Sequence, residues 1–355
     1  MTIESIHQLE DILAGIEPAD QAVFNAAQDK LDNLTKPKGS LGKLETLAAR
    51  TCAIRRRLDV SVDRKFILTF AGDHGVVAEG VSAFPQEVTP QMVLNFLGGG
   101  AGVNVLARHV GAEVWVTDVG VAVPVSGDGL ISRNVLRGTA NMAQGPAMSI
   151  TDAIKAISVG METAGQAISD GAEILGTGDM GIGNTTPSAA LYAALLSVDV
   201  DDITGRGTGV DDNTLEHKKE VIRKALYVNK ERLITPVETL AAIGGLEIAA
   251  ICGVVIEAAR SRIPVVVDGF ISSAGALVAI KMKKEVLDYC FFSHMSSEAG
   301  HKFFFEKTGI SPLLHLDMRL GEGTGAALAM GLIEAGLKIM NEMASFGEAG
   351  VSREI

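Results

Sequence analysis

Short apolar runs alternate with helical repeats of apolar residues along most of this chain. The runs are Lys65–Ala71, Ala112–Val119, Ala172–Leu175 and Pro264–Val267, with a further one inside Val286–Phe292. Between them, apolar residues recur three and four positions apart, which is the helical period. Continuous apolar strands that alternate with helices are typical of a parallel sheet covered on both faces. The pattern therefore predicts an α/β fold with a doubly wound, Rossmann-like parallel sheet.

The predicted helices are spread over the whole chain, including both ends. They are two amphipathic stretches within residues 1–30, Leu41–Arg50, Gln91–His109 with a break at Gly98–Gly100, Ala153–Ser169, Thr186–Leu196, Leu215–Val228, Leu246–Arg260, Ser273–Ala279 and a long segment from Gly323 onward. We expect a small helical domain built from residues 1–30 and 306–355, beside a large catalytic domain of residues 31–305. The last helix is apolar almost all round, which predicts packing partners on several sides and favours a symmetric dimer.

Charge and cysteine content narrow the class of protein. The 355 residues include 31 basic and 43 acidic side chains, a net charge of −12, which disfavours nucleic acid and anionic membranes as partners. No apolar stretch approaches the length of a membrane span, and the N-terminus lacks the pattern of a signal peptide. Cys52, Cys252 and Cys290 are widely spaced, which indicates reduced thiols in a cytoplasmic protein.

The segment Gly176–Gly181 (GTGDMG) matches the pattern GxGxxG between a short predicted strand and a helix. Such a loop could bind a dinucleotide, form a plain turn, or hold a small anionic or ribosyl ligand at the helix start. A dinucleotide site also needs an acid at the end of a second strand about 20 residues further on. Asp199 and Asp201 stand at that distance, but after a poor strand, so the small ligand is favoured.

The segment Gly205–Gly209 (GRGTG) carries three alternating glycines before a charged helix. It lacks the GKS or GKT ending of a P-loop, so hydrolysis of a nucleoside triphosphate is not expected. The glycines could let backbone N–H groups approach a phosphate, with a lysine of the next helix adding charge. A flexible surface loop explains the same pattern equally well, and the spacing does not decide between them.

Two further segments place ionisable groups beside glycines. Glu322 lies between Gly321 and Gly323. Such a glutamate is usually a solvated helix cap, but the apolar or small residues on both sides could instead bury the carboxylate. Burial would raise its pKa and suit it to proton abstraction.

Asp73 and His74 directly follow a predicted strand, so they could form an acid–base pair or half of a metal site. The other histidines show no ligand spacing, so we expect no metal.

Seven segments of this chain occur in the same order in one enzyme family. They are KPKGSLGKLE (36–45), GDHGV (72–76), FPQEVT (84–89), GTGDMGIGNTTP (176–187), GRGTGVDD (205–212), VVVDGFISSAGAL (265–277) and RLGEGTGAALAM (319–330). From about Ile16 to Ala344, the chain closely resembles the nicotinate-nucleotide–dimethylbenzimidazole phosphoribosyltransferases of cobalamin assembly. The resemblance implies a homodimer that needs no metal or organic cofactor. Its implied substrates are nicotinate mononucleotide and 5,6-dimethylbenzimidazole, and its products are α-ribazole 5′-phosphate and nicotinate.

The resemblance also implies roles for individual residues. Glu322 corresponds to the general base of the family. The other implied substrate-binding residues are Asp179, Met180, Gly181, Asn184 and Thr185 for ribose and nicotinate, Gly205, Gly207, Gly209 and Lys218 for phosphate, Phe84 and Met92 for the benzimidazole, and Asp73, His74 and Leu320 beside them. Asp179 stands where the family usually carries glutamate or aspartate, so here the side chain is one methylene shorter than the glutamate form.

Two other classes of protein remain open at this point. A nicotinamide dinucleotide oxidoreductase would use the GxGxxG match, and binding of the dinucleotide would reveal it. A sensor could bind a nucleotide in the same fold without catalysis. The presence of Glu322 argues against a sensor, and formation of a product would exclude it.

Overall fold

Six parallel strands form one sheet at the centre of the computed structural model, which describes residues 2–207 and 209–352. The order is β3-β2-β1-β4-β5-β6, and each neighbouring pair runs parallel. The strands are Lys65–Gly72 (β1), Ala112–Gly120 (β2), Leu130–Ser132 (β3), Ile174–Met180 (β4), Val265–Val267 (β5) and Cys290–Phe292 (β6). The order reverses between β1 and β4, where doubly wound folds bind ligands at the carboxyl edge. The predicted fold class is confirmed.

Helices cover both faces of this sheet. They are Ile6–Ala14 (α1), Gln21–Asp32 (α2), Lys43–Arg55 (α3), Val88–Leu97 (α4), Gly102–Val110 (α5), Ile150–Ser169 (α6), Thr185–Leu196 (α7), Val200–Ile203 (α8), Asp212–Val228 (α9), Pro236–Ile243 (α10), Leu246–Arg260 (α11), Phe270–Met282 (α12), His301–Thr308 (α13), Thr324–Glu342 (α14) and Phe346–Ala349 (α15). Helices α5 and α14 pack on one face, and α6, α11 and α12 pack on the other. Within the described residues, no helix is both long and apolar enough to cross a membrane.

Close packing of α6 on α11 explains the small residues along α6. A Cβ added at Gly160 would collide with the backbone of Ala250, and one at Gly253 would collide with that of Ile157. The two backbones therefore approach each other directly, without side chains between them. This buries nearly every residue of α11 beneath the sheet.

The two chain ends meet, as the helical pattern predicts. Helix α3 packs against both α2 and α14, and the Thr35 amide donates to the carbonyl of Ala344 at 3.0 Å. The division at residues 30 and 306 stays a prediction. The argument that α14 needs a second chain is wrong, because this helix is already buried within one chain against the sheet, α3 and α5.

Several predicted boundaries need correction. Strand β4 continues to Met180 instead of ending at Leu175, because it pairs with β1 along that length. Within Val286–Phe292, residues 284–289 form a 3-10 helix and only the last three residues are a strand. The break at Gly98–Gly100 separates two helices, and α9 begins at Asp212. The short elements β3, α8, α10, α13 and α15 are not predicted, since they are too brief to show a period.

Candidate active site

A cavity of about 400 Å³ lies at the carboxyl edge of the sheet. Its walls come from the end of β4, the segments after β5 and β6, the segment before α14, and the start of α4. Two groups of ionisable residues border it. The carboxylate end has Asp179 and Glu322 in the wall, with Asp268 behind them. The lysine end has Gly207 and Arg319 in the wall, with Gly205 and Lys218 behind them. Apolar side chains make up much of the remaining wall.

Glu322 is fixed in an unusual backbone conformation before α14. Its φ is 66°, and the flanking Gly321 and Gly323 have φ of 81° and 104°. A left-handed conformation is rare for a residue with a Cβ and needs support from its surroundings. Here the Thr69 hydroxyl donates to the carbonyl of Glu322 at 2.9 Å, and the Val103 amide donates to its Oε2 at 3.2 Å. The loop therefore holds this carboxylate in one place at the cavity wall.

The surroundings make Glu322 a stronger base than an exposed glutamate. Its side chain is 5% exposed, and burial raises its pKa above the usual range. The Val103 amide acts in the opposite direction, and the negative charge of Asp268 raises the pKa further. Of the two interpretations that the sequence leaves open, the structure shows the buried carboxylate and not the solvated helix cap.

Asp268 anchors the loop of Glu322 from behind. It follows β5, is fully buried, and accepts hydrogen bonds from the amides of Gly323, Gly325 and Ala326 at 3.1, 2.8 and 3.0 Å. Its carboxylate thus holds the first turn of α14, where the helix dipole favours negative charge. The sequence analysis does not single it out. Its signal is an acid directly after the apolar run Val265–Val267.

Asp179 is a second buried acid that faces the same space. Its Oδ2 accepts a hydrogen bond from Asn184 Nδ2 at 3.0 Å, while Oδ1 has no partner among the described residues. Burial raises its pKa well above the usual range, and the charges of Asp268, Glu247 and Glu322 act in the same direction. A neutral carboxyl group is thereby favoured, which can donate a hydrogen bond to a ligand.

The glycines of GTGDMG serve packing and not a nucleotide turn. Gly176 and Gly178 lie within β4, and a Cβ on Gly178 would collide with the carbonyl of Glu322. The absence of a side chain lets the Glu322 loop sit directly on the strand. A dinucleotide fingerprint requires these glycines in the turn from strand to helix, so the geometry removes the basis for that alternative.

The lysine end is built around a buried ammonium group. Lys218 is 1% exposed, and its Nζ donates to Thr185 Oγ1 at 2.6 Å and to the carbonyl of Gly205 at 3.2 Å. Burial lowers its pKa to about 8. Arg319 donates to the carbonyl of Gly207 at 2.9 Å, so two cationic side chains hold the same loop. Thr208 lies outside the described residues.

The cavity collects most, but not all, of the predicted site residues. The predicted residues that line it are Phe84, Met92, Asp179, Met180, Gly181, Asn184, Thr185, Gly207, Leu320 and Glu322. Lys218 and Gly205 lie just behind Gly207, while Gly209 is outside the cavity lining and a Cβ added to it would meet nothing within 4 Å. The lining residues that the analysis of the sequence missed are Val88, Ile182, Gly269, Phe270, Ile271, His294, Ser296, Glu298, Arg319 and Gly321.

Asp73 and His74 are buried near the cavity without lining it. His74 Nε2 meets Glu247 Oε1 at 2.8 Å behind Gly181, so its partner is this glutamate and not Asp73. Burial opposes a charged imidazole, but Glu247 outweighs it and raises the pKa of His74. Asp73 accepts a hydrogen bond from the Ala122 amide at 2.8 Å. The geometry gives both residues a structural position beneath the site, and their assignment to substrate binding is not supported.

A larger depression, of about 950 Å³, lies elsewhere, along β2, β3, α6 and α11. Its arginines are already paired, Arg133 with Glu162 and Arg260 with Glu257. None of the described residues that line it is a buried ionisable group with an unpartnered atom, as Asp179 is. Among the described residues, no group of three or more His, Cys, Asp or Glu side chains is placed to hold a metal ion.

The carboxyl edge of the sheet thus brings a buried base together with a glycine loop that two cationic side chains hold, which is typical of an enzyme site for a phosphorylated substrate. The sequence profile of the family described as phosphoribosyltransferase matches residues 16–351. The chain belongs to this family.

Named relatives cover nearly the whole chain. A protein of Chlorobium chlorochromatii (strain CaD3) is 58% identical over 349 residues, which are 98% of this chain and 99% of that one. One from Citrifermentans bemidjiense is 56% identical over 345 residues, covering 97% and 99%. Both are named nicotinate-nucleotide–dimethylbenzimidazole phosphoribosyltransferase. A crystal structure of the enzyme so named from Thermus thermophilus superposes with a TM-score of 0.89 at 47% identity, covering 94% of this chain and all of that one.

Proposed function

We propose that this protein transfers the phosphoribosyl group of nicotinate mononucleotide to 5,6-dimethylbenzimidazole, giving α-ribazole 5′-phosphate and nicotinate. The observation that carries the proposal is the position of Glu322, a buried base at one end of an apolar cavity whose other end is cationic. The reaction needs one base, one anion site and one apolar wall, and the cavity supplies all three. The product contributes the lower ligand of cobalamin.

Glu322 is the general base of this mechanism. The benzimidazole must lose its N–H proton as its other nitrogen attacks C1′ of the ribose, and the Glu322 carboxylate accepts that proton. The bond from C1′ to the nicotinate ring nitrogen breaks at the same centre, so attack from the opposite face inverts the configuration from β to α. Nicotinate leaves with a neutral ring nitrogen, because that nitrogen is cationic in the nucleotide, and no general acid is needed.

The other residues hold the two substrates in line. Lys218 and the loop at Gly205–Gly207 bind the 5′-phosphate, and Asp179 in its neutral form donates a hydrogen bond in the ribose and nicotinate region. Phe84 and Met92 contact the benzimidazole. Much of the rate acceleration then comes from orientation, since a reaction between two held partners avoids their loss of freedom in the transition state.

A homodimer is part of the proposal. Phe84 is 49% exposed and Leu320 is 60% exposed at the cavity, and the helical region of a second copy would cover them. Light scattering tests this: a mass near twice 37.1 kDa supports the dimer, and a fully active monomer contradicts it.

The three cysteines are buried and unpaired, which fits the predicted cytoplasmic location.

Incubation with both substrates tests the function. Mass spectrometry of the products should show α-ribazole 5′-phosphate and nicotinate in equal amounts from the wild type. A parallel incubation with adenine, phenols and other benzimidazoles identifies the preferred base. Binding of nicotinate mononucleotide without product from any base would contradict the proposal and favour a sensor.

A further inference from the structure

Glu298 places a negative charge at the end of the cavity that is otherwise cationic. Its side chain is 6% exposed, lines the cavity and accepts a hydrogen bond from the Gly207 amide at 3.2 Å. A Cβ on Gly205 would collide with the same carboxylate. A carboxylate therefore holds one of the backbone N–H groups of the loop that is proposed to bind phosphate.

The charge of Lys218 depends on this carboxylate at a distance. No direct ion pair joins the two side chains, because Lys218 Nζ donates instead to Thr185 Oγ1 and to the carbonyl of Gly205. The negative charge of Glu298 nevertheless stabilises the buried ammonium group and partly offsets the effect of burial on its pKa. The lysine end thus contains an anion even before a ligand arrives.

Hydrogen bonds hold the backbone of Glu298 on both sides. Its amide donates to Ser296 Oγ at 3.3 Å, and its carbonyl accepts from the His301 amide at 2.9 Å. The Ser296 amide donates in turn to His301 Nδ1 at 2.9 Å. Gly300, in the same segment, packs directly on the backbone of Ile203. Rotation of side-chain torsions can withdraw the carboxylate from the Gly207 amide without moving this segment.

We propose that Glu298 is an internal counter-anion of the phosphate site, which occupies the Gly207 amide in the free enzyme and gives way to the phosphate of the nucleotide. The inference rests on the proposed function, which puts the phosphate at this loop. Two anions repel each other at close range, so displacing Glu298 weakens the binding of any phosphorylated substrate. Glu298 thereby limits the affinity for the nucleotide and has no such effect on its dephosphorylated form.

Calorimetric titration of a Glu298→Gln variant tests this inference. The amide keeps an oxygen acceptor for Gly207 but removes the charge. At a pH well below 8, where Lys218 stays an ammonium group without help from Glu298, the Kd for nicotinate mononucleotide should fall by about three- to tenfold. The Kd for nicotinate riboside, which lacks the phosphate, should not change. Glu216→Gln is the matched control, because this glutamate lies on α9 beside the same loop, pairs with Lys219 and is largely exposed. Its removal should leave both constants unchanged.

Three results would overturn the inference. An unchanged or higher Kd for the nucleotide would give Glu298 a structural role or a direct contact to the ligand. An equal change for the riboside would place its effect on the ribose and not on the phosphate. Wild-type protein that binds neither compound would overturn the proposed function as well, so the two failures are distinguishable. If the glutamine variant does not fold, Glu298→Met removes the same charge at similar length and leaves the Gly207 amide without its side-chain acceptor, so the Kd for the nucleotide should again fall.

Discussion

The two ends of the cavity bury ionisable groups with opposite consequences. At the carboxylate end, burial raises the pKa of Glu322, which makes its carboxylate a better proton acceptor. At the lysine end, burial lowers the pKa of Lys218 to about 8, because it destabilises the ammonium group. A bound anion would stabilise that charged form. The same desolvation thus prepares one end for proton transfer and the other for holding phosphate. If this is correct, changes at the two ends should affect different kinetic constants.

The largest expected effect is at the carboxylate end. Glu322→Gln should lower turnover by about 10²- to 10⁴-fold, the range for loss of a general base, with little change in nucleotide binding. Steady-state rates with saturating substrates measure this. Glu334→Gln is the control, because this acid lies on α14 outside the cavity and pairs with Lys65 of β1 and with Lys338. Turnover of Glu322→Gln within a few-fold of the wild type would show that Glu322 is not the general base.

A change at the lysine end should act on binding instead. Lys218→Ala removes a charge-assisted contact worth about 1.5–3 kcal/mol, so the Kd for nicotinate mononucleotide should rise at least tenfold. The Kd for the benzimidazole should stay the same, because that substrate carries no phosphate. Lys219→Ala is the matched neighbour, since Lys219 already pairs with Glu216 and Asp201. An effect from Lys219→Ala and none from Lys218→Ala would show that the phosphate contact belongs to the other lysine.

The pH profile should separate the two ends within one protein. Glu322 acts as a carboxylate, so turnover should fall as the pH drops through its pKa, which lies above that of an ordinary glutamate. Lys218 acts as an ammonium group, so the KM for the nucleotide should rise as the pH rises through about 8. At pH 9 the rise should reach at most about tenfold, because one unit above the pKa leaves about a tenth of the lysine charged. Alkaline loss of turnover with constant KM would contradict this assignment.

The smallest expected effect is at the apolar wall between the ends. Phe84 is half exposed, so Phe84→Ala should remove about 1 kcal/mol of contact, or about fivefold in affinity for the benzimidazole. The Kd for nicotinate mononucleotide should not change. Competition titrations with both substrates measure the two constants. A loss of nucleotide affinity alone would show that Phe84 contacts the nucleotide and not the benzimidazole.

The architecture could be predicted from the sequence because the long elements carry strong periods. Strands β1 and β2 and helices α6 and α11 follow from buried apolar runs and helical repeats. The edge strand β3 has only three residues, so its pairing with β2 becomes visible only in the structure. The sequence pattern ends β4 too early because glycines usually mark a turn. In this chain they let the loop of Glu322 pack on the strand.

The site could be predicted only where a motif gathers its residues locally. Glu322 stands out between two glycines, and its burial follows from its apolar neighbours. Asp268 and Glu298 come from other segments, and the order of the parallel strands brings the first behind the Glu322 loop and the second to the cavity wall. The partner of His74 could not be predicted from the sequence for the same reason, since Glu247 lies 173 residues away. Such distant pairs leave no periodic signal in the sequence.

Calorimetric titration of nicotinate mononucleotide into three proteins tests most directly whether the two ends have separate roles. Wild type and Glu322→Gln should bind the nucleotide with Kd values within about twofold of each other, since a general base acts in the transition state. Lys218→Ala should bind it at least about tenfold more weakly, since the phosphate loses its charged partner. The reverse order, with affinity lost in Glu322→Gln and retained in Lys218→Ala, would contradict the account.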